Sequence, residues 1–249
     1  MNILGLNVFH ADTSAALLVD GKLISAIEEE RFTKIKHYAG LPLNSIKYCL
    51  NSSNLTISEV DIITVNYNSK YNFFNKALFT LKNFNSLTIQ KILSFQKKNK
   101  IKNILQESFK KKINAKIVYV PHHIAHISSS YYLSGINNAI GLTMDGSGDF
   151  STSESFLLEN KSIKLVDKTL YPHSLGIFYQ TFTQFLGFKN YGDEYKVMGL
   201  SSYGKPKYFK RLQKVINFDE KGNFKLNLEY FNYYKNSLNF NFDDGKPIF

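Results

Sequence analysis

Cysteine is almost missing from this chain. Cys49 is the single one in 249 residues, which excludes an internal disulfide and suits a reducing cytosol. Long hydrophobic runs are missing too: no window approaches the ~20 apolar residues that a membrane-spanning helix requires, so no membrane partner is expected. No basic segment precedes the first apolar residues, so Met1 to Val8 reads as a strand and not a signal peptide, and a cytoplasmic location is expected. Arginine is scarce, with only Arg31 and Arg211. That scarcity weighs against specific phosphate and base contacts, which arginine usually makes.

What is plentiful is lysine. The net charge is +11, and the positive side chains gather between Lys91 and Lys112 and between Lys189 and Lys214. Nucleic acid is one partner that such charge suggests. Lys, Asn, Ile and Phe are all abundant together, and a general compositional bias is the preferred explanation, which makes nucleic acid an unlikely partner. The apolar fraction of 43% is ordinary for a globular protein, and the length allows one large core or two modest ones.

The chain is organised around Pro121-His-His-Ile-Ala-His126 and Asp145-Gly-Ser-Gly-Asp149. Lys116 to Val120 reads as a buried strand that Pro121 cannot extend, although proline suits the first turn of a helix. In a helix starting there, His122 and His126 share a face and His123 points about 100° away. Two imidazoles at this spacing bind one metal ion if a third ligand comes from elsewhere. The helix N-terminus favours the neutral ring that a metal needs. Ala139 to Met144 reads as a second strand, ending in a tight Asp-Gly-Ser-Gly turn whose backbone N–H groups can face an anion. Asp145 is then the third metal ligand, and Gly146, Ser147 and Gly148 are candidate nucleotide-binding positions. Taken singly, a polar histidine pair and a hairpin turn account for these segments equally well.

Elsewhere, residues 2–8, 14–19 and 22–28 predict three strands, the last two joined through Asp20-Gly21. The loop Phe9 to Ser14 places small polar groups where phosphate oxygens could sit, or is simply a capped turn. Glu28-Glu-Glu-Arg-Phe-Thr-Lys-Ile-Lys-His37 is either a solvated face or the lining of a polar cleft. Leu41 to Leu50 predicts a helix, Asp61 to Val65 a strand, and residues 67–114 a helical insertion. Strands follow over Glu154–Leu158 and Ile163–Val166. Ser174 can cap a helix over Gly176–Leu186 that Gly187 ends. Asp193, Glu194 and Lys196 lie close to glycines and could contact a ligand, or belong to a short amphipathic helix. The pattern weakens after Lys205, and Glu229 to Phe249 reads as peripheral.

Three antiparallel strands followed by alternating strand and helix resemble the first lobe of an actin-like ATPase (ASKHA) fold, an α/β class with a mixed sheet, flanking helices and a helical insertion. The expected core is 1–66 with 115–206. Gly5 to Ala16 with its His10-x-Asp12, Glu28-Glu-Glu-Arg31 with Lys36-His37, the His122-His-Ile-Ala-His126 pair, Asp145-Gly-Ser-Gly148 and Gly192-Asp-Glu-Tyr-Lys-Val-Met-Gly-Leu200 occur in the order found in the O-carbamoyltransferases that modify antibiotics and nodulation factors. The resemblance spans residue 3 to about 206. Enzymes placing threonylcarbamoyl groups on transfer RNA share the His-x-x-x-His, but the second and fifth motifs favour the small-molecule branch.

That resemblance implies a two-stage reaction. Carbamoyl phosphate and ATP give carbamoyl-adenylate in a carboxy-terminal domain of another fold; a metal, typically iron, then holds it in the actin-like domain for attack by a hydroxyl of a small-molecule acceptor. Carried over, His122, His126 and Asp145 are metal ligands, while His10 and Asp12 face the acceptor or the phosphate, one of them as general base. The family's fourth metal ligand is an aspartate of a second lobe, which the sequence does not contain; nor does it contain the adenylate-forming domain. The expectation is that this polypeptide alone is not a competent transferase and needs a separate chain carrying the second lobe, or is a truncated product or fragment. A non-catalytic binding module is the alternative.

Overall fold

The computed structural model describes residues 1–83, 100–220, 222–231 and 233–234. They divide into two compact units, Met1–Ser69 with Ile89–His122, and Lys70–Thr88 with His123–Phe249.

The first unit is built on a five-stranded mixed sheet. Its strands are β1 (Asn2–Asn7), β2 (Ser14–Val19), β3 (Lys22–Glu28), β4 (Ile62–Val65) and β5 (Lys116–Tyr119), in the order β3-β2-β1-β4-β5. β2 runs antiparallel to β1 and β3, whereas β4 and β5 run parallel to β1. This is the sheet order of one actin-like lobe, as the strand pattern led us to expect. The β2–β3 turn is Asp20-Gly21, both at positive φ, the geometry that a two-residue hairpin needs. Alternate residues Leu4, Leu6 and Val8 of the β1 stretch are buried, as are Leu17 and Ile63. They pack with Ile46, Cys49 and Leu50 from helix α2 (Leu43–Asn51), and the core also holds Ile101 and Leu105 of a later helix.

The three carboxylates of Glu28-Glu-Glu30 part ways. Glu29 is buried and caps α2: its Oε1 accepts the Asn44 N–H and Nδ2, and its Oε2 accepts the Ser45 N–H and hydroxyl, all at 2.7–3.1 Å. Pro42, the residue before α2, has no side-chain group with which to cap it. Glu28 pairs with Arg31 at 3.0 Å. Glu30 opens the short helix α1 (Glu30–Thr33). The run is therefore neither purely a solvated face nor purely a cleft lining.

The second unit holds β6 (Asn138–Gly148), β7 (Ser151–Glu159) and β8 (Ser162–Leu170), an antiparallel meander in the order β6-β7-β8. These strands form a sheet of their own. A tight turn at Asp149 and Phe150, both at positive φ, folds β7 straight back on β6. Two helices of the 67–114 stretch are described. Helix α3 (Phe73–Lys82) stacks Phe79 on Phe150 and Tyr171 in the second unit, and α4 (Ile101–Phe109) supplies the first unit's core. Residues 84–99, and with them part of the Lys91–Lys112 basic stretch, lie outside the described residues, as does most of the peripheral segment 229–249.

Helix α5 (His122–Ser134) follows Pro121, and its Ile127 and Tyr131 pack on Phe156 and Leu158. Helices α6 (Leu175–Phe185), α7 (Glu194–Ser201) and α8 (Phe209–Leu212) come next, then the hairpin of β9 (Ile216–Phe218) and β10 (Phe224–Leu226). Among the described residues no helix is long and apolar enough to cross a membrane.

Candidate metal centre

The helical period decides what each histidine of α5 does. His123 falls in line with Ile127 and Tyr131 and is buried. Its Nδ1 lies 2.8 Å from the Thr143 hydroxyl, which itself donates to the Glu154 carbonyl at 3.2 Å. A hydroxyl has one proton, so the Nδ1 must supply the other. His122 and His126 project from the opposite side, half-buried and exposed respectively. The third group comes from β6: Asp145 Oδ2 stands 3.6 Å from His126 Nε2. Ligand atoms from His122, His126 and Asp145 all lie within 4.8 Å of one another.

That spacing suits an ion. Two ligands at ~2.1 Å from one tetrahedral metal are about 3.4 Å apart, whereas 3.6 Å is too long for a hydrogen bond. Two imidazoles and one carboxylate also make a chemically coherent donor set for iron or zinc.

The Asp145-Gly-Ser-Gly148 segment differs from expectation. It is not a tight turn but the end of β6, bulged. Met144 pairs with Ser153 and Gly148 with Ser151, so three residues, 145–147, face the single residue Thr152. A bulge bends its strand and re-aims side chains, and here it turns Asp145 towards His126. The Gly146 N–H, expected to face an anion, donates instead to Asp145 Oδ1 at 2.6 Å. Ser147 is exposed and Gly148 buried.

The remaining candidates engage other groups. Asp193 pairs with Lys196 at 2.7 Å and accepts the Asn190 N–H, and the lysine contact holds its carboxyl below the usual value. Asp193 and Lys196 thus engage each other, with Glu194 between them opening α7. His10 Nδ1 lies 3.3 Å from the Ala11 carbonyl in an exposed loop. Asp12, at positive φ, puts Oδ1 2.8 Å from His37 Nδ1, and Glu30 accepts the His37 backbone N–H at 3.1 Å. Asp12, Glu30 and His37 form the other group of possible ligands among the described residues.

Sequence reasoning missed the supports. His123 points off the metal face, and its buried ring bonds Thr143 of β6. The pairing of Asp12 with His37 joins two motifs that the sequence offers separately. A helical pattern in which 123, 127 and 131 share a face pointed to the first of these; nothing local pointed to the second.

Residues 2–243 match the family described as Carbamoyltransferase N-terminus. The chain belongs to that family. An uncharacterized protein, sll1178, of Synechocystis is 34% identical over 244 residues, covering 93% of this chain and 40% of the relative. Nodulation protein NolNO of Sinorhizobium fredii is 34% identical over 203 residues, covering 80% of this chain and 29% of that protein. This family member therefore spans well under half the length of the curated relatives that it matches. Among solved structures, YeaZ from Pseudomonas aeruginosa aligns with a TM-score of 0.39 at 12% identity over 69% of this chain and 66% of that one.

Proposed function

We propose that this chain contributes a metal-binding portion of an O-carbamoyltransferase that moves a carbamoyl group from carbamoyl-adenylate, made from carbamoyl phosphate and ATP, to a hydroxyl of a small molecule. The observation that supports it is the meeting of His122, His126 and Asp145 within 4.8 Å in a member of this family. These three residues would hold a divalent cation, and the two-imidazole, one-carboxylate set favours iron. Such an ion supplies Lewis-acid polarisation of a carbamoyl or phosphate oxygen.

The chain's own residues have separable tasks. Neutral imidazoles at His122 and His126 donate lone pairs, while Asp145 brings the negative charge. His123 takes no part in coordination and anchors the helix through Thr143. The acceptor hydroxyl must lose a proton as it attacks. Asp12 is our candidate to take it, because its contact with His37 Nδ1 fixes the carboxylate; His10 is the other candidate in that loop. A separate chain carrying further domains of the family is the proposed partner, since the relatives are much longer.

The test is a metal titration of the chain and of His122→Ala, followed by transfer of labelled carbamoyl from carbamoyl phosphate and ATP to polyhydroxylated acceptors, with and without the remaining domains of a relative. Tight binding lost in the variant and transfer in the mixture support the reading. Absence of both would sink it.

A further inference from the structure

We propose that Ser174 and Gly176, at the start of α6, are positioning residues for the metal ligand Asp145; the inference rests on the metal-binding reading above. Ser174 is fully buried. Its Oγ lies 2.7 Å from the Gly146 carbonyl and 3.1 Å from that of Asp145, and it accepts the Ile177 N–H at 3.0 Å. Capping the helix accounts for the last of these bonds only. The single hydroxyl proton is shared between the other two acceptors, mainly the nearer Gly146 carbonyl, and fastens α6 to the peptides on either side of Gly146.

Gly176 makes the same attachment sterically. A Cβ at that position would lie 2.6 Å from the Gly146 nitrogen and 2.7 Å from the Asp145 carbonyl carbon and oxygen. Those are backbone atoms, which cannot swing aside as a side chain can. Only glycine lets the helix rest on this peptide.

The peptide so held is the one that orients the ligand. Its N–H donates to Asp145 Oδ1, which leaves Oδ2 directed at His126. The bulge supplies three residues where a regular strand would have one, so the segment has backbone freedom that something must remove. Ser174 and Gly176 remove it, and the carboxylate presents a single oxygen to the ion. Groups that orient a ligand in this way typically matter 10–100-fold in metal affinity.

The experiment uses the full chain stripped of metal and titrated with Co²⁺, reading both affinity and the visible d–d absorption, alongside the thermal midpoint of the apo-protein. Ser174→Ala and Gly176→Ala are expected to weaken Co²⁺ binding by about 10–100-fold and to change the absorption band. Thr181→Ala is the control: it removes a buried hydroxyl on the same helix that bonds the Ile177 carbonyl, and is expected to lower the midpoint while leaving affinity and band at wild-type values. Variants at 174 and 176 that lower the midpoint but bind Co²⁺ as the wild type does would overturn the proposal, reducing the pair to a cap and a packing contact. If Gly176→Ala does not fold, Ser174→Ala decides alone. A wild-type chain whose Co²⁺ spectrum is untouched by His122→Ala removes the metal reading itself, a result distinct from selective failure at 174 and 176.

Discussion

Asp12, Glu30 and His37 form one group and His122, His126 and Asp145 another, one ligand atom from each residue lying within 4.8 Å of those of its group. Their inner distances differ. In the first group the imidazole and carboxylate are 2.8 Å apart, hydrogen-bond length, and Glu30 holds the His37 backbone. In the second the corresponding distance is 3.6 Å, and the second carboxylate oxygen is already occupied by the Gly146 N–H. A proton bridges the first gap, whereas the second is longer than a hydrogen bond. Proximity of ligand types is thus a poor guide by itself, because in the first group the imidazole and the carboxylate already bond each other.

The widest separation between the two groups should appear in metal binding. His122→Ala or Asp145→Ala should lower Co²⁺ affinity by more than about 100-fold, beyond the effect of losing a supporting hydrogen bond, whereas His37→Ala should leave stoichiometry and affinity unchanged in the same calorimetric titration. Equal losses in both would erase the distinction. Next comes the first unit's buried carboxylate. Glu29→Ala removes four hydrogen bonds and uncaps α2, and should cost roughly 2–3 kcal/mol in urea unfolding. In the second unit, Thr143→Val deletes the hydroxyl that His123 uses and should cost about 1–2 kcal/mol by the same measurement. It should also loosen Co²⁺ binding, which Glu29→Ala should not.

The smallest effect is one of pH. Burial, reinforced by Lys225, lowers the His173 pKa from its usual 6.5, and its Nδ1 accepts the Leu226 N–H, which only the unprotonated nitrogen can do. The folded state therefore binds fewer protons at this site than the unfolded one. Its contribution is intact above about pH 6.5 and is lost as pH falls towards and through the lowered value. Thermal midpoints of His173→Gln should fall less between pH 7 and 5 than those of the wild type; parallel curves would remove His173 as a contributor.

Much of this was readable in advance. Alternation in Leu4, Leu6 and Val8, the Asp20-Gly21 turn and the four-residue spacing of His122 and His126 are local signals, fixed by the pleat of a strand or the turn of a helix. The bulge at 145–147 was not readable, because a bulge is defined by the partner strand and Asp-Gly-Ser-Gly suits a turn equally well. Glu29 capping Asn44 and Ser45, Asp12 reaching His37 and Ser174 reaching Gly146 are meetings of distant segments. Periodicity says which way a side chain points and is silent on what it finds there. The separation of β6–β8 from the first sheet was hidden for the same reason: Ala139 to Met144 reads as a strand, and its apolar Ile140, Leu142 and Met144 are exposed.

The bulge in β6 also bears on how such a centre could disappear. Gly146 and Ser147 are in excess of the single partner Thr152, so deleting both would restore a regular ladder and remove the bend that aims the Asp145 carboxylate. No ligand need mutate, and the pairing of β6 with β7 on either side would survive. Descent with two codons fewer would leave the architecture unchanged and the histidines in place, with the carboxylate no longer aimed at them.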